Sequence, residues 1–487
     1  MGPKTTSALL CLALFGFLIF RRQRQREHAG RNQGCEPAIF HRPVEPFSGF
    51  DFQMKLYSQI PYLQTLHRKY GHTFQVQSLV KLPTICTIAP ENLRAINTSK
   101  DFGVEPMRLP GLEHFCGRGF ITTDGHIRKQ ARRLLKPSFD MNNIRDLSIL
   151  QRETDKLFRE LPKGVTVDLQ PLLYVMFLRS ALHFVLGVHP LIQPSSAPIT
   201  ADEFVKTFHS ALFYSMIRVI LGRAWDLLPQ KKYNNTCATA HSYLDYYINE
   251  ALDNDDKPTN KSLIRGLSTQ TEDQDFIRSQ VIQAMMAAQD TTSELLTNAL
   301  FVLARHPHYW GQLHEEFVGK SDEDLSAENL LKSKSIINVL HETLRLYPIF
   351  PLLGRVALCD TTLPVGGGPN QDRPIFIRKG SEVVMAYYAL HRDVSVFGDD
   401  IEAFRPERWD SIKPQQWEYL GFGGGDRACL GQQKATIEAA YVLARFAREF
   451  PKLESMDNRE WKGELKLTCK SAHGCIVQMT SIDKQTI

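Results

Sequence analysis

A cysteine in a glycine-rich segment near the C-terminus is the strongest candidate for chemistry. Cys429 follows the run 422–427, which holds three consecutive glycines, and precedes residues 432–450, where apolar residues recur at helical spacing. The cysteine therefore lies just before a predicted helix N-terminus, where backbone N–H groups and the helix dipole favour a thiolate. Arg427 adds a positive charge nearby. A thiolate with one open side suits a metal, and haem iron accepts a single cysteine ligand.

A second candidate lies in the middle of a long helix predicted over residues 276–305. Residues 287–292 read AAQDTT, which places an acid and a hydroxyl together in an otherwise apolar helix. The hydroxyl of Thr291 can bond back to a carbonyl one turn earlier and open the helix slightly. With Asp290 beside it, the pair could form a water-linked proton path. The alternative is a threonine satisfied by its own helix and an aspartate that faces solvent.

The cysteine segment fits the pattern Phe-x-Gly-Gly-x-Arg-x-Cys-x-Gly, which resembles the haem-binding loop of the cytochrome P450 superfamily of haem-thiolate monooxygenases. On that resemblance Cys429 is the axial ligand of the iron of haem b, and Arg427 contacts a haem propionate. Phe422 and Gly431 are the aromatic and glycine positions of the same loop. The alternative for any single cysteine is a buried structural thiol.

Residues 287–292 are similar to the oxygen-activating motif of the same superfamily. The resemblance implies that Asp290 and Thr291 relay protons toward dioxygen. Ala288 stands where the superfamily usually has glycine, and we expect a slightly tighter groove as the result.

An acid and an arginine three residues apart lie on a helix predicted over residues 329–347. Glu342 and Arg345 would share one helical face, although such pairs are common and uninformative alone. Followed by the Pro-Glu-Arg-Trp segment at 406–409, the pair is similar to two further motifs of the superfamily. The resemblance implies a buried structural network of Glu342, Arg345 and Arg408, because buried charges must be paired.

Two more arginines correspond to positions that bind haem propionates in the superfamily. Arg355 matches a strand position, and Arg132 matches the arginine of a Trp-x-x-x-Arg helix. Arg128 replaces that tryptophan, and its guanidinium could itself pair with a carboxylate. The basic stretch Arg128, Lys129, Arg132, Arg133 and Lys136 is also a candidate docking surface for an acidic partner. An ordinary solvated helix face explains it equally well.

The elements around these residues indicate a mainly α chain with small β-sheets, an α+β class that the resemblance identifies with the cytochrome P450 fold. Residues 73–89 are predicted to form two short strands, and residues 353–389 short strands and turns. Residues 139–187 and 204–228 have helical patterns, whereas the polar stretch 253–275 is predicted to be a surface loop.

The first 26 residues differ in composition from the rest. Residues 5–20 carry no charge and are rich in Leu, Ala and Phe, and four arginines follow at once. This order favours a single transmembrane helix with its arginines on the cytosolic side over a cleaved signal peptide. We expect a membrane anchor at 1–26, a proline-containing connector at 27–50 and a catalytic domain at 51–487. The protein would lie in the endoplasmic reticulum membrane, facing the cytosol.

Composition argues against several other classes of protein. The net charge of the 487 residues is only +5, which gives no case for binding nucleic acid. Nine scattered cysteines without a Cys-x-x-Cys pair indicate neither a disulfide framework nor a zinc site. No dinucleotide-binding fingerprint is present, so the resemblance implies that electrons come from NADPH through a separate NADPH–cytochrome P450 reductase.

The reaction that the resemblance implies is the insertion of one oxygen atom from O2 into a small hydrophobic substrate. The apolar segments 105–120, 204–228 and 350–353 would form its pocket. The loops at 363–369 and 430–433 look like those of the fungal n-alkane and fatty-acid hydroxylases, which attack terminal carbons.

The departures at Arg128 and Ala288 instead favour a step in fungal secondary-metabolite biosynthesis. An isomerase or dehydratase that needs no external electrons is a third reading, which the intact Asp290–Thr291 pair argues against. A haem protein without catalysis and a haem-free membrane scaffold are the remaining alternatives.

Overall fold

The computed structural model describes residues 34–79, 81–162, 164–187, 196–253 and 262–480. The predicted membrane anchor at residues 1–26 lies outside these ranges. The α-helices of the described chain are Phe50–Ser58, Tyr62–Tyr70, Pro90–Thr98, Glu105–Cys116, Gly125–Leu135, Met141–Ile144, Ser148–Glu160, Leu169–Leu186, Ala201–Leu221, Lys231–Asp253, Leu263–Ser268, Gln274–Leu303, Pro307–Phe317, Ala327–Lys332, Lys334–Leu346, Tyr387–Leu390, Val394–Phe397, Arg408–Ser411 and Gln432–Glu449. Short 3-10 helices span Lys136–Phe139, Gly222–Leu227 and Gly425–Arg427.

The strands of the described chain form four small sheets. They are β1 Ile39–His41, β2 Thr73–Val76, β3 Thr84–Thr87, β4 Phe102–Gly103, β5 Val167–Asp168, β6 Leu353–Ala357, β7 Thr361–Gly367, β8 Arg373–Ile377, β9 Glu382–Met385, β10 Lys452–Ser455, β11 Gly463–Leu465, β12 Cys469–Ser471 and β13 Ile476–Thr480. The largest sheet has the order β1-β2-β3-β9-β6-β4, in which the β1–β2 and β3–β9 pairs are parallel. The others are β10-β13-β5, β11-β12 and β7-β8.

The chain separates into two compact units. Within the described residues, the sheet unit lies in the ranges 34–103, 350–401 and 414–428, and the helical unit lies in the ranges 104–349, 402–413 and 429–480. The cysteine motif of the sequence is therefore divided between the two units. Residues 422–428 belong to the sheet unit, and Cys429 begins the last segment of the helical unit.

The core of the sheet unit is built on β2, β3 and β9, whose β-branched and aromatic residues suit a buried pleated surface. Phe74, Cys86 and Val383 are fully buried there. The amide of Asn92 donates to the hydroxyls of Thr73 and Thr87 at 3.2 and 3.1 Å, which satisfies polar groups that burial would otherwise leave unpaired.

The helical unit is organised around the helix Gln274–Leu303, which we call the central helix. The carboxylate of Asp273 accepts the N–H of Phe276 at 2.9 Å and caps its first turn. The helix Leu169–Leu186 packs along it. That helix and Ala201–Leu221 are both long and apolar enough to cross a membrane, but the packing of the first explains its composition as that of a core helix. Length and composition alone are weak evidence for a span.

The structure corrects the sequence expectations at several places. The helix expected over 329–347 is two helices, because Ser333 is extended and its hydroxyl donates to Glu316 at 2.8 Å. Strand β5 interrupts the expected helical stretch 139–187, and the expected surface loop at 253–275 contains the helix Leu263–Ser268, whose apolar side chains are buried. Strand β1 belongs to the large sheet, so the folded body begins before residue 51.

Candidate functional site

The thiol of Cys429 lies just before the helix Gln432–Glu449, as the sequence predicts. It is solvent-accessible, although protein surrounds it closely. This surrounding protein raises the pKa of the Cys429 thiol, while a hydrogen bond from the Gly431 N–H and the charge of Arg132 act in the opposite direction. Desolvation is the largest of these effects on the pKa, and the helix terminus and Arg132 offset it only in part. A metal cation bound to the sulfur would favour the thiolate.

The glycines before the cysteine are required by the backbone and by close neighbours in the sheet unit. Gly423 and Gly425 have φ of 71° and 63°, in the left-handed region that disfavours side chains. A Cβ at Gly425 would lie 2.5 Å from the carbonyl oxygen of Asn97, and one at Gly424 would lie 2.6 Å from the Trp417 ring. A side chain at any of these three positions would therefore strain the backbone or clash with a neighbour.

Three further predicted haem-contact residues lie in the sheet unit. Arg355 is buried on β6, where its guanidinium donates to the carbonyl of Gly354 at 2.9 Å and to Oδ1 of Asn97 at 3.3 Å. Phe422 and Arg427 are partly buried. Asn97 thus has two roles in the sheet unit. Its side chain accepts a hydrogen bond from Arg355, and its backbone carbonyl lies so close to Gly425 that only glycine fits there.

The basic helix Gly125–Leu135 does not present all of its cations to solvent. Arg128 is buried and Arg132 is half-buried. Lys129 and Arg133 on this helix, and Lys136 just after it, are exposed. The predicted docking surface therefore consists of these three residues rather than five.

The central helix carries an accessible strip in its otherwise buried middle. The hydroxyl of Thr291 donates to the carbonyl of Ala287 at 2.9 Å, which is the back-bond that the sequence predicts. Ala287 is exposed and Ala288 and Thr291 are partly exposed, whereas most side chains on either side along the helix are buried. Asp290 is only 7% exposed, so the alternative of a solvent-facing aspartate is excluded.

Asp290 belongs to a buried charge cluster that sequence reasoning missed. Lys470, on β12, places its ammonium 3.6 Å from Oδ1 of Asp290 and 3.7 Å from Oε1 of Glu294. Burial raises the pKa of Glu294 to about 7. The spacing of the two acids by one helical turn indicates that they share a face of the helix, but nothing in the sequence links them to Lys470.

Glu342, Arg345 and Arg408 lie together in the helical unit. Glu342 and Arg345 are fully buried and joined by two hydrogen bonds, of 2.9 Å from Nε and 2.8 Å from Nη2 of the arginine. Nε of Arg408 lies 3.4 Å from the same carboxylate. The Trp409 indole N–H and the Arg405 backbone N–H also donate to it, each at 3.0 Å. The carboxylate is saturated.

Part of the predicted pocket region is core instead. Phe204 and Phe208 are fully buried, and the Phe204 ring stacks on Tyr243 with centroids 4.3 Å apart. On the same helix Phe213 and Ile220 are 63% and 78% exposed. The apolar pattern of 204–228 therefore serves both a core and a surface.

Comparison with known proteins places the chain in a family. The family described as Cytochrome P450 matches residues 44–469, and the chain belongs to that family, whose members are haem-thiolate monooxygenases. The family binds haem b and takes electrons from NADPH through a reductase.

Several fungal relatives resemble most or nearly all of the chain. Cytochrome P450 monooxygenase FPY7 of Fusarium mangiferae is 32% identical over 98% of this chain and 96% of its own length. Cytochrome P450 monooxygenase himC of Aspergillus japonicus is 34% identical over 97% of this chain and 88% of its own length. Cytochrome P450 52A12 of Debaryomyces hansenii is 36% identical over 77% of this chain and 78% of its own length.

The residues present fit haem b. Cys429 and Cys359 are the exposed thiols of the described chain, and only Cys429 lies beside a helix terminus and an arginine. The small residues of the central helix leave room for a flat ligand, and buried or half-buried arginines suit its carboxylates.

Proposed function

We propose that Cys429 is the axial thiolate ligand of haem b and that the chain inserts one oxygen atom from O2 into a small hydrophobic substrate. The observation that carries this proposal is the accessible Cys429 thiol, which receives the Gly431 N–H and the field of Arg132. Arg132, Arg355 and Arg427 are proposed to bind the haem propionates, and Phe422 and Gly431 to shape the loop. The haem supplies the oxygen-activating chemistry when bound.

The proposed role of the central helix is proton delivery. The Thr291 hydroxyl uses its hydrogen for the Ala287 carbonyl, so its oxygen lone pairs are free to accept a hydrogen bond on the accessible strip. Asp290 directly precedes Thr291 and is buried. Its burial limits the paths by which solvent protons can reach its carboxylate. Thr291 therefore orients a proton donor, and Asp290 holds the proton that is transferred.

The network of Glu342, Arg345 and Arg408 is proposed to hold the haem-binding core rather than to take part in chemistry. Its carboxylate accepts four groups of donors and has no exposed surface. A carboxylate so fully occupied is poorly suited to exchanging protons during turnover.

For the substrate, we propose a hydrophobic intermediate of fungal secondary metabolism. The departures at Arg128 and Ala288 support a relative with a substrate other than a plain alkyl chain. Terminal hydroxylation of n-alkanes or fatty acids is the second candidate, supported by the resemblance of the loops at 363–369 and 430–433. An electron-independent isomerase or dehydratase is disfavoured by the Asp290–Thr291 pair.

We also propose how the protein is placed in the cell. Residues 1–26 would anchor it in the endoplasmic reticulum membrane, with the catalytic domain on the cytosolic side. A separate NADPH–cytochrome P450 reductase would supply the electrons, and the exposed cations Lys129, Arg133 and Lys136 are a candidate docking surface for it. Deleting residues 1–26 should release the protein from membranes, whereas full retention would contradict a sole anchor there.

The substrate class is tested with the full chain in microsomes, a fungal NADPH reductase and isotopically labelled dioxygen. Long-chain fatty acids and alkanes are supplied, and products with one labelled oxygen are sought. Labelled terminal alcohols would establish terminal hydroxylation. A preparation with a thiolate-type haem spectrum but no such product would favour the secondary-metabolite substrate, and turnover without NADPH would favour the isomerase.

The ligand role of Cys429 is tested by Cys429→Ala. We expect the thiolate-type absorption band of the reduced, carbon-monoxide-bound protein to disappear, because no other sulfur replaces it. Cys359→Ala is the matched control, since it removes the other exposed thiol of the described chain and should leave the band unchanged. A band that survives in Cys429→Ala would identify a different ligand.

A further inference from the structure

Two carboxylates compete for one ammonium beside the proposed proton-delivery pair. Asp290 and Glu294 are one turn apart on the central helix, and the ammonium of Lys470 lies between them at 3.6 and 3.7 Å. These nearly equal distances are longer than a direct charged hydrogen bond, so neither acid holds the lysine exclusively. Glu294 is only 1% exposed, so its charge is costly unless Lys470 offsets it.

The surroundings of Glu294 fix its position while leaving its charge poorly stabilised. The side-chain amide of Gln170 donates to Oε2 of Glu294 and to the carbonyl of Ser471, each at 3.2 Å. The ammonium of Lys470 also lies 5.0 Å from the centroid of the Tyr174 ring. The carboxylate therefore has one neutral donor and a shared cation, which is little compensation for a buried charge.

Glu294 is the member of this cluster that changes charge near neutral pH. Burial is the largest cause that raises its pKa to about 7, the charge of Asp290 raises it further, and Lys470 and Gln170 oppose the rise. Burial raises the pKa of Tyr174 and of Cys469 and lowers that of His209, so these three side chains are uncharged near neutral pH. The titratable groups around Glu294 are Asp290 on its own helix, Tyr174 on a neighbouring helix, and Cys469 and Lys470 on β12. His209, on another helix, faces Asp290 and Lys470.

We propose that Glu294 and Lys470 are positioning residues for Asp290. The charge of Glu294 decides whether the Lys470 ammonium pairs with Asp290 alone or is shared between the two acids. When Glu294 is protonated, Lys470 pairs with the Asp290 carboxylate alone and holds it in place. When Glu294 is ionised, the lysine is shared between the two carboxylates, so Asp290 is held less firmly and is free to turn toward Thr291. In that position Asp290 can accept a proton from solvent and pass it to the group that Thr291 orients, and its carboxylate is restored after each transfer.

This inference rests on the proposed proton-delivery role of Asp290 and Thr291. It predicts that coupling of NADPH oxidation to product improves as pH rises through the range in which Glu294 ionises. A purely structural pair would also neutralise buried charge, but its removal would not alter the dependence of coupling on pH.

The test combines a spectroscopic readout with a turnover readout on the full-length holoprotein. Infrared difference spectra of purified protein between about pH 5 and about pH 9 should show a buried carboxyl that titrates near neutrality. The signal should vanish in Glu294→Gln and persist in Glu153→Gln, which removes another buried carboxylate of the helical unit. A spectrum without a carboxyl that titrates near neutrality would overturn the proposal.

Peroxide released per NADPH oxidised is then measured across the same pH range with a fungal reductase and dodecanoic acid as the probe substrate. In the wild type the ratio should fall several-fold as pH rises. Glu294→Gln should keep the low-pH ratio throughout, Lys470→Met should abolish the pH dependence, and Lys470→Arg should restore it.

A wild-type pH profile in Glu294→Gln would overturn the inference even if Glu294 titrates. Thr291→Ala separates this failure from that of the proposed function. If Thr291→Ala raises peroxide release and Glu294→Gln does not alter the profile, only the role of Glu294 and Lys470 fails. If Thr291→Ala also leaves peroxide release unchanged, the proton-delivery role itself fails.

Discussion

The helical unit contains two buried charge clusters. In one, the carboxylate is fully occupied by hydrogen-bond donors, and in the other the carboxylates are only partly paired. Around Glu342, a carboxylate accepts hydrogen bonds from an arginine, an indole and a backbone N–H at 2.8–3.0 Å, with a second guanidinium at 3.4 Å. Around Glu294, one lysine is divided between two carboxylates at more than 3.5 Å. Both carboxylates are buried, so exposure does not distinguish them.

The difference is one of charge balance and donor geometry. Arginine offers a planar fork that fits a carboxylate with two bonds, and two arginines serve one acid in the first cluster. Lysine is a compact charge on a flexible stem, and one lysine serves two acids in the second. The first cluster therefore suits a fixed structural role, whereas the second can change its protonation state at modest cost.

Breaking the saturated cluster should have the largest effect. Glu342→Leu leaves two buried guanidinium groups without their acid, and we expect a loss of about 3–5 kcal/mol in the free energy of unfolding. The measurement is chemical denaturation together with the haem content of the purified protein. Glu407→Gln is the control, since this acid of the same region is exposed and should cost no more than about 1 kcal/mol. Equal losses in both variants would refute the distinction between buried and exposed pairs.

Removing the cation of the divided cluster should cost less, by an amount that depends on pH. Lys470→Met leaves Asp290 and Glu294 without a counter-charge, but a proton can neutralise one acid. We expect a loss of about 3 kcal/mol at about pH 8 and a smaller loss at about pH 6. Unfolding free energies at both pH values give the answer. Lys466→Met removes an exposed lysine beside β12 and should show little effect at either pH. A pH-independent loss for Lys470→Met would show that neither acid protonates.

Replacing Glu294 should change how stability depends on pH. Because the folded-state pKa is raised from 4.5 to about 7, the folded protein binds a proton that the unfolded chain releases. The stabilisation of the folded state by this bound proton is therefore complete below about pH 4.5 and is lost as pH rises through about 7. Each pKa unit corresponds to about 1.4 kcal/mol, so the rise of the pKa from 4.5 to about 7 sets an upper limit of about 3.5 kcal/mol. Rearrangement of Lys470 and Gln170 around the ionised acid lowers the expected loss to about 2 kcal/mol.

The comparison for this prediction is the stability of wild type and Glu294→Gln at several pH values. The wild type should become less stable than the variant by about this amount as pH rises, because glutamine stays neutral. Parallel curves would show that Glu294 does not titrate in the folded protein.

The two clusters also show what a sequence can and cannot predict. Glu342, Arg345 and Arg408 carry recognisable motifs and meet in the structure, as the resemblance implies. Lys470 lies far along the chain from Asp290 and has no motif, so only the fold brings it there. Helix positions were predicted well by apolar periodicity, but Ser333 divides one helix through a side-chain bond that periodicity does not register. The burial that raises the pKa of the Cys429 thiol could not be predicted for a similar reason, since it depends on surroundings distant in sequence.

The smallest effect on stability is expected at Thr291, although it is proposed to matter for the reaction. Thr291→Ala removes only a hydrogen bond to the helix's own Ala287 carbonyl, and alanine favours helix more than threonine does. We therefore expect a change within about 0.5 kcal/mol in unfolding free energy but a clear rise in peroxide released per NADPH. Thr291→Ser keeps the hydroxyl and should retain coupling. A stable Thr291→Ala protein with normal coupling would mean that the accessible strip only leaves room for the ligand, and Asp290 would then need another partner.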